Sequence, residues 1–236
     1  RWCGNDHQDT GRYRTIADKL PTGDGAVTSS VLMVVTAPSP VGSLSASLIS
    51  IGTAKVNGAT ATSSGDYSAT YSAAKAVDGS TSTFWMCPNR STAGEETLTL
   101  DLGTSKPIEK VRLLPRAVYF QQFPSNFTIE VSANGLTYTA VHAETGYAPA
   151  NGVWCERSFE PRQGRYVRLR AERKLVSAGV YRVELAEMEV HESLGRAVRL
   201  TWTAPGDNGM VGTAASYRVR YSTAGPGTPQ HLVMER

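Results

Sequence analysis

The sequence predicts an all-β protein, and three observations predict it. Gly, Ser, Thr and Ala are abundant along its 236 residues. Long amphipathic stretches of helical period are missing from it. Short segments that alternate apolar and polar residues follow one another, with turn residues between them, which is the pattern of half-buried strands.

The elements follow in order. Residues 1–38 start polar and end in Val31-Leu32-Met33-Val34-Val35, a predicted strand. Thr36-Ala37-Pro38-Ser39-Pro40 then deny a ladder its N–H donors and mark a boundary, with 39–48 as a small, polar linker. From 49 to 192 strands are expected at 97–102, 110–118, 126–132, 138–143, 165–170 and 181–190. Asn134-Gly135 supplies the turn between two of them. Such spacing suits a sandwich or a barrel. Residues 193–236 begin anew, with strands expected at 197–202 and 216–221 and a turn-rich Pro205-Gly206-Asp207-Asn208-Gly209 between them.

Composition narrows the function. Hydrophobic residues make up 40% and charged residues 19%, a globular balance, and the formal charge is only +3. The one basic run, Arg165-Tyr166-Val167-Arg168-Leu169-Arg170, alternates with apolar residues, so its arginines belong on the outer face of a strand and not to a nucleic-acid surface. No stretch reaches the roughly 18 consecutive apolar residues of a membrane span. The chain opens at Arg1 without Met, as a processed product or a piece of something longer would. Nucleophile elbows, phosphate loops and dinucleotide fingerprints are absent, and His7, His142, His191 and His231 are scattered. Glu95 and Glu96 are neighbours whose side chains would point to opposite faces of a strand. An enzyme is not expected.

Three cysteines form no CxxC or zinc spacing. Cys87 and Cys155 each follow a tryptophan closely and lie in segments that can meet, so a disulfide between them is expected, worth about 2–4 kcal/mol. Two buried reduced thiols are the alternative, and Cys3 is left over either way. Trp85 and Trp154 are expected in the core. Asp78-Gly79-Ser80-Thr81-Ser82-Thr83 is a tight loop rich in oxygens, the chemistry of a hard cation such as calcium. One Asp cannot neutralise such an ion, so a second carboxylate from elsewhere is expected. The alternative is a plain Asp-Gly turn. It is no EF-hand, because Asn89 stands at the twelfth position.

Five fragments, in order, carry a family resemblance. They are Ala61-Thr62-Ser63-Ser64 followed by the segment from Ala74-Lys75-Ala76-Val77-Asp78-Gly79 to Trp85, then Leu100-Asp101-Leu102-Gly103, Ile129-Glu130-Val131-Ser132-Ala133-Asn134-Gly135, Arg165-Tyr166-Val167-Arg168-Leu169 and Leu185-Ala186-Glu187-Met188-Glu189-Val190. Residues 49–192 thereby resemble a discoidin domain (coagulation factor 5/8 type C), most of all the bacterial family 32 carbohydrate-binding modules. The resemblance implies a jelly-roll β-sandwich with a structural Ca2+. Its ligands would be the carbonyls of Lys75, Ser80 and Ala186, the carboxylates of Asp78 and Glu187, and both oxygens of Thr83. It also implies a sugar site on loops at one end, with Arg116 as the contacting arginine, Tyr119, Phe120, Gln121 and Gln122 beside it, and Tyr181 from the last loop. Galactose-binding members commonly carry His after the tryptophan, where this chain has Met86 and Cys87, so the glycan need not be galactose.

Residues after 195 resemble the first half of a fibronectin type III domain, and residues 1–38 are compared with the last strands of one; the two pieces would complete each other within a chain or between chains. The function expected is a non-catalytic, secreted or cell-surface glycan-binding or adhesion module. The alternative is a structural subunit that contacts like chains or other surface proteins. Phospholipid binding through Tyr119-Phe120 is a third, less favoured reading.

Overall fold

A computed structural model describes residues 44–202, 217–221 and 230–234. One compact unit runs from Ser50 to Arg196, and the strands outside it belong to a second. The predicted strand at 31–35, Cys3 and both Pro/Gly-rich segments beyond 202 lie outside the described residues.

Residues 39–48 were expected to be linker, and the structure corrects this: Leu44–Ser50 is a strand, β1, hydrogen-bonded to β13, Arg196–Trp202. Small residues concealed it, since Ser45 and Ser47 alternate with Leu44, Ala46 and Leu48 over a range too poor in large side chains to register as a strand. In the same outer unit, Tyr217–Tyr221 pairs antiparallel with Gln230–Met234.

Inside the first unit the strands are β2 (Thr53–Lys55), β3 (Thr60–Ser63), β4 (Trp85–Met86), β5 (Glu95–Leu114), β6 (Phe127–Ser132) and β7 (Thr139–Glu144). After them come β8 (Cys155–Glu172), β9 (Lys174–Ser177), β10 (Val180–Arg182), β11 (Glu184–Leu185) and β12 (Glu187–Ser193). Two long strands organise the rest. β5 and β8 pair antiparallel, and their register breaks between Asp101 and Lys106. Before the break, β5 carries β3 on its free edge, while β8 carries β6 and then β7. After the break, β5 carries β12 and then β2. The same two strands therefore serve both layers of a β-sandwich and turn the corner between them at the irregularity.

The corner has a backbone cause. Gly103 adopts φ +77°, which suits glycine alone among common residues. At Gly164 a Cβ would fall 2.2 Å from Val131 Cγ1 and 3.1 Å from the Ser132 carbonyl oxygen, so only a bare backbone passes there. Two strands expected on either side of Gly103 are thus one strand of 20 residues.

Leu98, Leu100, Ile129, Val167 and Leu169 from one layer, with Val111, Leu113, Met188 and Val190 from the other, fill the core. Trp85 is fully buried and donates its Nε1–H to Asp66 at 3.1 Å, which satisfies the indole while its rings pack. Trp154 is only half-buried and lies under the Arg112 guanidinium, 4.3 Å from its ring. Arg168 and Arg170 point outward, as alternation with the buried Val167 and Leu169 requires, and pair with Glu130 and Glu95. Arg165 has the parity of those buried residues, which corrects the face expected for it, and it pairs with Asp101 beside the register break.

The expected disulfide is corrected as well. Cys87 and Cys155 are both free and buried. The Cys87 thiol receives the Val183 N–H at 3.1 Å beside β11, whereas Cys155 opens β8 opposite Leu113 and near Tyr147. Each thiol is thus enclosed by its own neighbours, and burial pushes the Cys87 thiol up to about 11, which keeps it protonated and inert.

Candidate functional site

β5 stops at Leu114, because Pro115 cannot donate to a ladder. Arg116 therefore leaves the sheet and stands on a loop. Its guanidinium carbon sits 3.9 Å from the centre of the Phe84 ring and 4.5 Å from that of Tyr119. A planar cation covered by two aromatic faces is held in place by their quadrupoles and by packing.

Behind it lies Glu184, the first residue of β11, with no exposed surface. Arg116 Nη1 donates to Glu184 Oε2 at 2.9 Å and Arg182 Nη1 to Oε1 at 3.2 Å. The Gln122 amide, with its nitrogen turned to the carboxylate, adds bonds of 2.6 and 3.2 Å. A buried carboxylate is tolerable only when paired and hydrogen-bonded, and Glu184 has three donors. It fixes Arg116 from the protein side, and the Arg116 side chain keeps 26% of its surface exposed.

The loop around it is strained. Val118 has φ +67°, rare for a β-branched residue, and the Tyr119 N–H closes a three-residue turn onto the Ala117 carbonyl at 2.8 Å. Strain of this kind survives where surrounding structure over-determines it. Here it sets Tyr119 against Arg116.

Of the residues expected at the ligand end, Arg116, Tyr119 and Gln122 come together. Phe120 and Gln121 share one 3-10 turn with Gln122. Phe123 leaves the loop for the core, edge-on to Phe127 and Tyr147. Tyr181 pairs through its backbone with Arg90, one residue before Arg182. Phe84, Arg182 and Glu184 were missed. Phe84 stood in plain view beside Trp85, but nothing in its spacing marked it.

The oxygen-rich loop builds a second constellation. Asp78 Oδ1 accepts the Ser80 N–H at 3.0 Å, and both its oxygens accept the Thr83 hydroxyl at 2.8 and 2.9 Å. The Ser80 carbonyl lies 3.1 Å from the same hydroxyl. Gly79, at φ +79°, donates its N–H to Glu187 Oε1 at 2.9 Å, across 108 residues of chain. Glu187 is buried at the start of β12, and burial, together with the neighbouring Asp78 carboxylate, pushes it up to about 7. Burial raises Asp78 too, but the Thr83, Ser80 and Lys75 donors outweigh it and hold Asp78 below its ordinary value.

Asp78, Ser80, Thr83 and Glu187 are thus brought together. Lys75 enters by its ammonium group, 3.3 Å from Asp78 Oδ2. Ala186 is fully buried next to Glu187, its N–H given to the Leu114 carbonyl. Among the described residues no group of three or more His, Cys, Asp or Glu gathers, so any cation here relies on two carboxylates and neutral oxygens. That donor set fits a hard ion: two acidic groups in contact, one of them buried, with a carbonyl and a hydroxyl beside them.

Among the described residues no helix is long and apolar enough to cross a membrane. A model of the F5/8 type C domain family matches residues 58–185. No curated protein matches the chain. Among solved structures, CBM32-3 from a family 31 glycoside hydrolase of Clostridium perfringens is similar at 20% identity and TM-score 0.50, over 61% of this chain and 90% of that one. Chitosan-binding module 1 of a chitosanase/glucanase from Paenibacillus sp. IK-5 is 27% identical at TM-score 0.46, covering 57% and 96%. The family 32 CBM of C. perfringens NanJ, solved with galactose, is 21% identical at TM-score 0.47, covering 57% and 93%.

Proposed function

The chain belongs to the F5/8 type C domain family, and from that premise we propose that it is a non-catalytic carbohydrate-binding module of a secreted or cell-surface protein, with its glycan over Phe84, Arg116 and Tyr119. The observation that carries this reading is the arginine held between two ring faces and backed by Glu184. A sugar offers C–H faces and hydroxyl edges, and this cluster offers aromatic surface beside a fixed fork of donors. Binding such a ligand costs little ordering, because the protein groups are already in place. Phe120, Gln121 and Tyr181 are proposed to border the same ligand.

The proposal includes a structural calcium at Asp78, Ser80, Thr83 and Glu187, with the Lys75 and Ala186 carbonyls completing the set. When bound, the ion would neutralise the two carboxylates. It would also tie the 78–83 loop to β12, a closure that restricts the unfolded chain most when the loop is long.

The test is a glycan array probed with the whole chain, in calcium and again after chelation. The expected result is retention on one class of glycan that falls about tenfold or more in Arg116→Ala. Silence across the array from folded, calcium-loaded protein would overturn the reading in favour of a structural subunit that contacts other chains.

A further inference from the structure

The aromatic surface does not end at Phe84. Tyr71 lies against Phe84 with ring centres 4.7 Å apart and planes tilted 32°, and Tyr67 follows at 6.0 Å with a tilt of 59°. Tyr67 and Tyr119, at the two ends of the row, are each 49% exposed. Single exposed aromatics need no explanation, but four rings and an arginine, each against the next, do.

The segment that carries the two tyrosines is held firmly. Asp66 accepts the Trp85 indole N–H at 3.1 Å, the Ser63 hydroxyl at 2.6 Å and the Ala73 N–H at 3.1 Å. The Tyr67 N–H goes to the Met86 carbonyl at 2.8 Å, and the Tyr71 N–H to the Ser68 carbonyl at 3.0 Å. The rings therefore stand on a loop pinned to the buried Trp85, not on a loose one, and nothing in the core requires Tyr67 to be aromatic.

We infer that Tyr71 and Tyr67 form a second subsite, which takes a further ring of the same glycan chain beyond the ring held at Arg116. The inference rests on the carbohydrate reading above and adds that the ligand is an oligosaccharide or polysaccharide, not a lone terminal sugar. Continuity with Phe84 supports it, since a chain seated at Arg116 and running in that direction meets Tyr71 next. The successive tilts suit rings that rotate from one residue to the next along such a chain. A protein partner would call for a wider apolar patch than one row of rings with hydroxyls at their edges.

The test is calorimetry on the whole chain and on Tyr67→Ala, Tyr71→Phe and Arg116→Ala. The probes are galactose, galactobiose and galactotriose, and N-acetylglucosamine, chitobiose and chitotriose. The expected result is affinity that rises roughly five- to tenfold from monosaccharide to longer sugar in one series. Tyr67→Ala removes that rise and leaves monosaccharide affinity unchanged, Tyr71→Phe keeps it, and Arg116→Ala weakens every member. Equal affinity for all lengths overturns the second subsite while the carbohydrate reading stands. So does a Tyr67→Ala loss shared equally by the monosaccharide. Absence of binding by the unaltered chain in both series and across the glycan array overturns both proposals.

Discussion

Glu184 and Glu187 stand three residues apart, both buried, and the chain treats them in opposite ways. Glu184 receives Arg116, Arg182 and the Gln122 amide, so its charge is matched by side chains of the protein itself. Glu187 receives one backbone N–H and faces another carboxylate, Asp78, and is pushed up to about 7. A third buried carboxylate, Glu96, resembles the first: Arg90 and Arg173 both donate to its Oε1 at 2.8 Å, and the Ser64 hydroxyl donates to the other oxygen. A carboxylate given its own cations locks its neighbours in place. A carboxylate set against another carboxylate lacks such a partner, and there we place the proposed cation.

The sharpest way to break the contrast is to remove the internally matched charge. Glu184→Ala strands Arg116 and Arg182 around a buried gap and is expected to lower unfolding free energy by about 3–5 kcal/mol, read from urea titrations. Arg116 would lose its anchor as well. Loss within the range of a surface substitution would mean that the two arginines are free to turn to water.

The externally matched site should answer to calcium. At about a hundredfold excess over the dissociation constant, a bound ion adds about 2.7 kcal/mol, so the melting temperature should rise with calcium and fall on chelation. In Glu187→Gln that response should vanish. An unchanged response in the variant would place the ion elsewhere.

Glu96 gives the pH dependence of the matched kind. Burial raises it, but the hydrogen bonds from Arg90, Ser64 and Arg173 win and hold it below its ordinary 4.5. A carboxyl lowered on folding contributes stability that is complete above the unfolded value and is lost as pH falls through the folded one. Stability between pH 5 and pH 3 should therefore drop less steeply in Glu96→Gln than in the unaltered chain, as measured by denaturant midpoints. An equal slope would assign the acid limb to other pairs.

The smallest expected effect is at Val118. Val118→Gly relieves the φ of +67°, and its net gain should be about 1 kcal/mol, since glycine gives part of the relief back in chain entropy. The same change should weaken glycan binding by loosening Tyr119. A variant that becomes more stable and binds equally well would separate the strain from the site.

The contrast between the two glutamates also explains what could be read from the chain beforehand. Alternation in 97–102 and 165–170 was legible because each segment has one buried face, and the Asp78–Thr83 loop was legible by its oxygens. Residues 183–188 are all buried, so no period remains there to assign a face, and a segment expected as one strand is divided among β10, β11 and β12. Glu184 vanished into that run. Arg116 and Tyr119 were found through the family resemblance, while Phe84 and the tyrosine row depend on a loop conformation that local sequence does not specify. The corner of the sandwich was hidden for a similar reason, because Gly103 reads as a strand end when it is a bend.

The most direct test of the account is to measure two quantities in two variants, glycan retention and the calcium-dependent rise in melting temperature in Glu184→Gln and Glu187→Gln. The account predicts a crossover. Glu184→Gln loses glycan and keeps the calcium response, and Glu187→Gln loses the calcium response and keeps glycan. Glycan binding retained in Glu184→Gln, or a calcium response retained in Glu187→Gln, would contradict it.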